Sequence, residues 1–434
     1  MRGVAGEFLT AELALAIARA ATSICAETAS RGNAPPQVLV IRDTRESGEM
    51  LQAALAAGIS AAGGDALLGG VLPTPAAPLL VGRYQLQLGV VISASHNPYH
   101  DNGIKIFGAD GFKLSDDTER VIEARVREEA SRPSRPGSVR ALHGTEEDYL
   151  RALQTRFDGL DLSGRDLALD CANGATYRVA PEIFRRLGAS VTTLADKPDG
   201  RNINAGCGST HMDALRETVR AGGHEAGFAF DGDGDRVLAV DATGELVDGD
   251  ELVALAALHM QGAGTLEGGG VAVTVMTNQG FHIAMQEAGI EVATTSVGDR
   301  YVLEELRARG FVLGGEQSGH IIDLSFARSG DGIASALLVL EALGSRSLTD
   351  RNAIEKLPQR LVNVTVRDRE ALTRAATVHD AVRAEEESLA GQGRVLVRPS
   401  GTEPLVRVMV EAPTAEDAAA ICERIAALVE RELA

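Results

Sequence analysis

The chain has 434 residues, with 61 Asp and Glu against 42 Lys and Arg, for a formal net charge of -19. So acidic a surface repels nucleic acid and anionic membranes, and aromatics at 3% without a tryptophan offer no platform for stacking bases. The length suits about three or four domains, and a 44% hydrophobic content can fill their cores.

Thr10 and Glu12 open an amphipathic helix over the apolar run 13–21, which Arg19 interrupts, so the run reads as a first helix and not as a leader peptide. No stretch is apolar for long enough to cross a bilayer. Cys25, Cys171, Cys207 and Cys422 form no C-x-x-C pair, which suits core residues in a reducing, cytoplasmic setting. Apolar runs at 38–41, 88–92, 167–169, 191–194, 226–230, 271–275 and 312–313 are expected strands. Helical patterns such as 180–187 and 252–259 fall between them. This alternation predicts α/β units with mostly parallel sheets. Residues 131–138, rich in Pro and Arg, read as a surface linker, and 241–249 as a turn-rich stretch. After Pro358 the pattern changes to strand 361–366, helix 379–389, strands 395–397 and 405–410, and helix 415–433, a small α+β tail.

Four motifs carry chemistry. The strand at 88–92 runs into Ser93-Ala-Ser-His-Asn-Pro98, which presents the Ser95 hydroxyl beside His96, with Lys105 ten residues on. Only four lysines occur in the chain, and Lys105 and Lys113 both follow this serine, as suits a group carrying phosphoryl charge. Asp231-Gly-Asp-Gly-Asp-Arg236 follows the strand at 226–230, so Asp231, Asp233 and Asp235 can converge on a hard cation, Mg2+ or Ca2+. An EF-hand is excluded, because its sixth position is Arg236 and its twelfth Ala242. Gly314-Gly-Glu-Gln-Ser-Gly-His320 offers Glu316, Ser318 and His320, a mixture of donors and acceptors suited to sugar hydroxyls. Arg398-Pro-Ser-Gly-Thr-Glu-Pro404, with Arg407 beyond it, has the guanidinium, hydroxyl and glycine-amide groups of a phosphate cradle. Together they indicate phosphoryl transfer on a sugar phosphate.

In order, S-A-S-H-N-P, D-G-D-G-D-R, G-G-E-Q-S-G-H and R-P-S-G-T-E-P resemble the signatures of the α-D-phosphohexomutases over essentially the whole chain. Asn202-Ile-Asn-Ala-Gly-Cys-Gly-Ser-Thr-His211 and Val297-Gly-Asp-Arg-Tyr-Val302 point to its bacterial glucosamine-phosphate branch. The resemblance implies three similar α/β domains with mixed, mostly parallel sheets and a C-terminal α+β domain around a central cleft. The expected division is 1–140 for the phosphoserine, 141–245 for the metal, 246–357 for the sugar and 358–434 for the distal phosphate. It further implies phosphoserine at Ser95, and Mg2+ on Asp231, Asp233, Asp235 and a phosphoserine oxygen. Lys105 and His320 would handle protons, and Arg236 and Arg2 would stabilise charge. Glu316 and Ser318 would grip the sugar, and Arg398, Ser400, Gly401, Thr402 and Arg407 the phosphate. The implied reaction interconverts glucosamine 6-phosphate and glucosamine 1-phosphate through a bound 1,6-bisphosphate, which is also an activator, in the supply of cell-wall precursors. A homodimer is one assembly this allows. Mannose or glucose phosphates are the alternative substrates.

The family's opening G-T-D-G-[I/F]-R-G is matched only by Arg2 and Gly3. The first strand is therefore expected to be missing, with Arg2 unsupported and a sheet edge unpaired. On that reading a catalytically impaired sugar-phosphate-binding homologue is a further alternative.

Overall fold

The computed structural model describes residues 1–28, 34–128, 135–400 and 404–433. Four sheets follow one another along the chain. The first consists of β1 (Arg2–Val4), β2 (Gln37–Arg42), β3 (Asp65–Val71), β4 (Leu88–Ile92), β5 (Asp101–Gly108) and β6 (Val139–Ala141), in the order β1-β5-β4-β2-β3-β6. From β4 through β2 and β3 to β6 it is parallel, while β4, β5 and β1 pair antiparallel. The second contains β7 (Asp166–Asp170), β8 (Ser190–Leu194), β9 (Ala226–Phe230), β10 (Val237–Asp241) and β11 (Leu246–Val247), in the order β11-β10-β9-β7-β8. The third contains β12 (Gly270–Thr274), β13 (Glu291–Thr295), β14 (Leu313–Gly315) and β15 (Ile321–Asp323), in the order β13-β12-β14-β15. The last is antiparallel: β16 (Gln359–Thr365), β17 (Arg394–Pro399) and β18 (Leu405–Glu411), with β18 in the middle.

The apolar runs explain the central strands. Every residue of β4, β9 and β12 is buried, as strands covered by helices on both faces require. Leu51, Leu55 and Ile59 of the helix Gly48–Ala61 pack with Val38, Val40 and Val90 in the first core. The tail expected after Pro358 is present, and its last helix spans Ala415–Leu433. Residues 131–134 of the expected linker lie outside the described residues.

By contact the chain forms two compact units, Met1–Thr274 with Ala293–Arg351, and Val275–Val292 with Asn352–Ala434. No helix among the described residues is long and apolar enough to cross a membrane.

The expectation for the N-terminus needs correction. Arg2, Gly3 and Val4 form β1, opposite Gly103, Asn102 and Asp101 of β5. The Met1 ammonium donates to the Ile104 carbonyl at 3.2 Å. Strand pairing uses backbone groups, so three residues suffice to cover the start of the β5 edge and to fix the Arg2 backbone.

One buried pair makes stability depend on pH. Tyr149 donates its hydroxyl to both oxygens of Asp331, each at 3.0 Å, and Asp331 Oδ1 caps the helix Gly332–Leu343 by accepting from Ala334 N at 3.0 Å. Burial pushes the Asp331 carboxyl up to about 6, against the pull of these hydrogen bonds. A carboxyl raised in the fold stabilises it below the unfolded value near 4 and loses that contribution as pH rises through about 6. Asparagine keeps the acceptor without the charge. Asp331→Asn is therefore expected to raise Tm at pH 8, by the equivalent of at most about 3 kcal/mol, with roughly half of that gain at pH 5 and little change at about pH 3. A variant that melts below wild type at pH 8 would contradict this.

Candidate active site

Ser95 lies just past the end of β4, in the turn before β5, and is 1% exposed. Its hydroxyl donates to Asp231 Oδ2 at 2.5 Å and lies 3.4 Å from His96 Nδ1. Burial, with the charges of Arg236 and Arg2, lowers the pKa of His96. Arg2 thus acts on the serine's neighbour despite its place at the start of the chain.

The aspartates occupy the turn between β9 and β10, at the C-terminal end of β9. Two glycines allow it. Gly234 has φ of +70°, and a Cβ on Gly232 would lie 2.5 Å from the Ser95 carbonyl oxygen. Asp231, Asp233 and Asp235 are all buried, and one carboxylate oxygen from each lies within 4.8 Å of the others. Lys105, on β5, donates to Asp233 Oδ2 at 2.6 Å and Asp235 Oδ2 at 3.0 Å. Thr74 also donates to Asp233 Oδ2.

Charge is strongly organised at this point. Burial and the two neighbouring carboxylates push Asp231 well above the ordinary range. Burial acts on Asp235 in the same sense, yet Lys105, His320 and Arg236 hold it well below. Burial disfavours the Lys105 ammonium, yet Asp233 and Asp235 raise its pKa above that of an ordinary lysine. The two carboxylates thus favour the charged ammonium form of Lys105. Asp233 Oδ1 is buried and accepts no hydrogen bond among the described residues. Three converging buried carboxylates with an unused oxygen fit a divalent cation, which takes oxygen ligands and offsets their repulsion.

The G-G-E-Q-S-G-H loop joins β14 to β15. His320 Nδ1 lies 3.5 Å from Asp235 Oδ1, and its Nε2 is 3.9 Å from Asp299 Oδ2 and makes no hydrogen bond among the described residues. His320 also bridges to Arg236 through the backbone. Glu316 is buried, accepting from Gly298 N at 3.0 Å, and Ser318 is exposed. The first unit thus gathers Ser95, Lys105, the three aspartates, Arg236 and His320, with Glu316 and Ser318 on the adjoining loop.

In the second unit, Arg398 on β17 and Arg407 on β18 stand directly opposite each other. Burial and the Arg407 charge lower the pKa of Arg398. Like charges in cross-strand register are unfavourable alone and favour an anion between or beside them. Ser400 is buried and its carbonyl accepts from Arg369 Nη1 at 2.7 Å. Gly401 and Thr402 lie outside the described residues.

Sequence reasoning missed several groups around Ser95: Asp43 and Arg45 after β2, Thr74, and the amide of Asn204. Asn204 sits inside a run that stood out only for its resemblance. Arg369 was likewise missed, since it acts on a backbone carbonyl. None forms a spacing pattern with the residue it serves, so no periodic signal existed.

Comparison with known proteins agrees with this geometry. Models for domains I, II, III and the C-terminal domain of the phosphoglucomutase/phosphomannomutase family match residues 1–133, 147–244, 248–361 and 361–428. The chain is 50% identical to the phosphoglucosamine mutase of Desulforudis audaxviator over 95% of its own length and 92% of the relative's. It is 49% identical to that of Mycolicibacterium smegmatis, covering 98% and 96%. A crystal structure of a phosphoglucomutase/phosphomannomutase family protein from Burkholderia thailandensis superposes with a TM-score of 0.81, at 25% identity and covering 100% and 96% of the two chains. A putative phosphomannomutase from Thermus thermophilus shares the fold, with a TM-score of 0.78 at 23% identity over 99% and 97%. With its three α/β/α domains, its C-terminal domain and near-full-length likeness to curated enzymes, the chain belongs to the α-D-phosphohexomutase family, on its bacterial phosphoglucosamine mutase branch.

Proposed function

We propose that the chain interconverts glucosamine 6-phosphate and glucosamine 1-phosphate by way of phosphoserine at Ser95. The observation that carries this is the Ser95 hydroxyl, 2.5 Å from Asp231 within a buried aspartate triplet. Such a hydroxyl sits where a transferred phosphoryl group would meet a divalent cation and nearby cationic side chains.

Phosphorylated Ser95 passes its phosphoryl group to the free sugar hydroxyl. A P–O bond to the sugar forms and the P–Oγ bond breaks. The sugar hydroxyl gives up its proton to a side-chain base, and Ser95 Oγ regains one from an acid. His320, with Nε2 making no hydrogen bond, suits the base, and Lys105, held protonated, suits the acid. The bound 1,6-bisphosphate then turns end for end and the other phosphoryl group returns to Ser95, with the proton transfers reversed. Arg236 and Arg2 would offset the charge that builds up on the phosphoryl oxygens. Glu316 and Ser318 would take sugar hydroxyls. Arg398, Ser400 and Arg407, with Gly401 and Thr402, would hold the phosphate that is not reacting. Asp231, Asp233 and Asp235 would hold Mg2+, which lowers the cost of negative charge on the transferring group. The four domains would divide near residues 140, 245 and 357, and the enzyme would work in the cytoplasm, where hexosamine phosphates are made.

The test is isomerisation of glucosamine, glucose and mannose 6-phosphates in parallel with Mg2+. Glucosamine 6-phosphate is expected to have the highest kcat/KM, and the others slower but measurable rates, since all share the transferred group. A preference for mannose 6-phosphate would reassign the substrate.

A further inference from the structure

Ser95 has φ of 55°, a left-handed backbone that costs a residue with a side chain about 1 kcal/mol or more. The surroundings impose it. The Ser95 carbonyl accepts from Arg45 Nη2 at 2.9 Å and from Asn204 Nδ2 at 2.9 Å. The Asn97 carbonyl accepts from the same two groups, at 2.8 and 3.1 Å. Arg45 is fully buried, and every N–H of its guanidinium is used. Nη1 reaches the carbonyls of Pro98 and, at 3.0 Å, Asp101, while Nε donates to Asp43 Oδ2 at 2.8 Å. Burying a cation is costly, and here four of its five contacts go to one loop.

Asn204 grips the same two carbonyls from the second sheet's side. Its own N–H donates to the Ala172 carbonyl at 2.9 Å, just beyond β7. A Cβ on Gly232, inside the aspartate turn, would lie 2.5 Å from the Ser95 oxygen and 2.7 Å from Asn204 Nδ2. The serine loop, the amide and the aspartate turn therefore meet at one point.

We propose that Arg45 and Asn204 are positioning residues. Together they form a two-sided clamp that sets the separation between Ser95 Oγ and the aspartate carboxylates, and so the place of the phosphoryl group. This rests on reading Ser95 as the phosphoserine. Arg45 fixes the loop within its own sheet, and Asn204 fixes that loop against the metal turn. It also gives a purpose to the Asn202–His211 run, which no step of the reaction otherwise uses.

The test compares Asn204→Gly, which tolerates φ of 57° but lacks the amide, with Asn204→Asp, which keeps the shape but cannot donate. Tyr149→Phe, which removes a buried hydroxyl bond elsewhere in the same unit, serves as the stability control. Kinetics with glucosamine 6-phosphate, melting, and calorimetric Mg2+ titration of the phosphorylated and dephosphorylated proteins are measured together. A misplaced phosphoryl group should lower kcat about 10- to 100-fold in both Asn204 variants with KM within about twofold. It should also weaken Mg2+ binding by the phosphorylated form while leaving the dephosphorylated form near wild type. Tyr149→Phe should melt lower with unchanged kcat. Wild-type kcat and Mg2+ affinity in either Asn204 variant would overturn the proposal, leaving a clamp that only stabilises the fold. Should Asn204→Gly fail to fold, Asn204→Asp decides alone. A wild type with neither mutase activity nor phosphate on Ser95 would overturn the underlying reading, and this inference with it.

Discussion

Ser95→Ala is expected to lower mutase activity by at least about 10⁴-fold, because no other group can take the nucleophile's part. Intact-mass analysis should show one added phosphate on the wild type and none on the variant. The structure adds a cost in stability. Ser95 is buried and its hydroxyl is bonded to Asp231, so removing it leaves a buried carboxylate with one donor fewer. That costs about 1–3 kcal/mol. The left-handed backbone persists in the variant, since Arg45 and Asn204 hold carbonyls and not the side chain. Ser95→Ala should therefore fold but melt somewhat lower. Ser95→Thr should fare worse, because a β-branched residue strains φ of 55°. Retained mutase activity in Ser95→Ala would remove Ser95 from the mechanism.

The parts of this molecule that could be read from the chain are those whose physics lies in side-chain patterns. β4, β9 and β12 are continuous apolar runs and stand out. β5 did not, because it opens with Asp-Asn-Gly and mixes buried and half-buried residues without a regular period. Yet β5 matters to the site, since its pairing puts Lys105 opposite Val91 and within reach of the aspartates. The aspartate triplet was readable because three carboxylates so close together require a counter-charge. Arg45 and Asn204 were not, because their partners in the serine loop are backbone carbonyls, which carry no residue signature. The same blindness misplaced the N-terminus. β1 is held by backbone pairing, which depends on where β5 lies and not on which residues form the strand.

Asp233→Asn is expected to weaken Mg2+ binding and to lower kcat by at least about 10²-fold. Asp233 Oδ2 receives Lys105 and Thr74, and Oδ1 makes no hydrogen bond among the described residues. An asparagine must choose. With its oxygen toward Lys105, its NH2 takes the place of the oxygen that makes no hydrogen bond and repels a cation. Turned round, the NH2 faces an ammonium and a hydroxyl donor. Either way one ligand and one negative charge are lost from a site built for a hard cation. The change also reaches Lys105. Against burial, Asp233 is the largest influence raising its pKa, so the variant's Lys105 should titrate lower. A lysine raised in the fold stabilises it below its unfolded pKa near 10.4 and loses that contribution as pH climbs through the folded value. The alkaline loss of Tm should therefore begin at the same pH in Asp233→Asn but be smaller and level off at lower pH. EDTA should abolish wild-type activity and Mg2+ restore it, and Mg2+ should raise the wild type's Tm more than the variant's, because a ligand stabilises only the state that binds it. Activity indifferent to chelation, together with equal Mg2+-induced shifts in Tm, would show that the triplet holds no metal in the working enzyme and that its cationic neighbours, Lys105 and Arg236 among them, balance its charge.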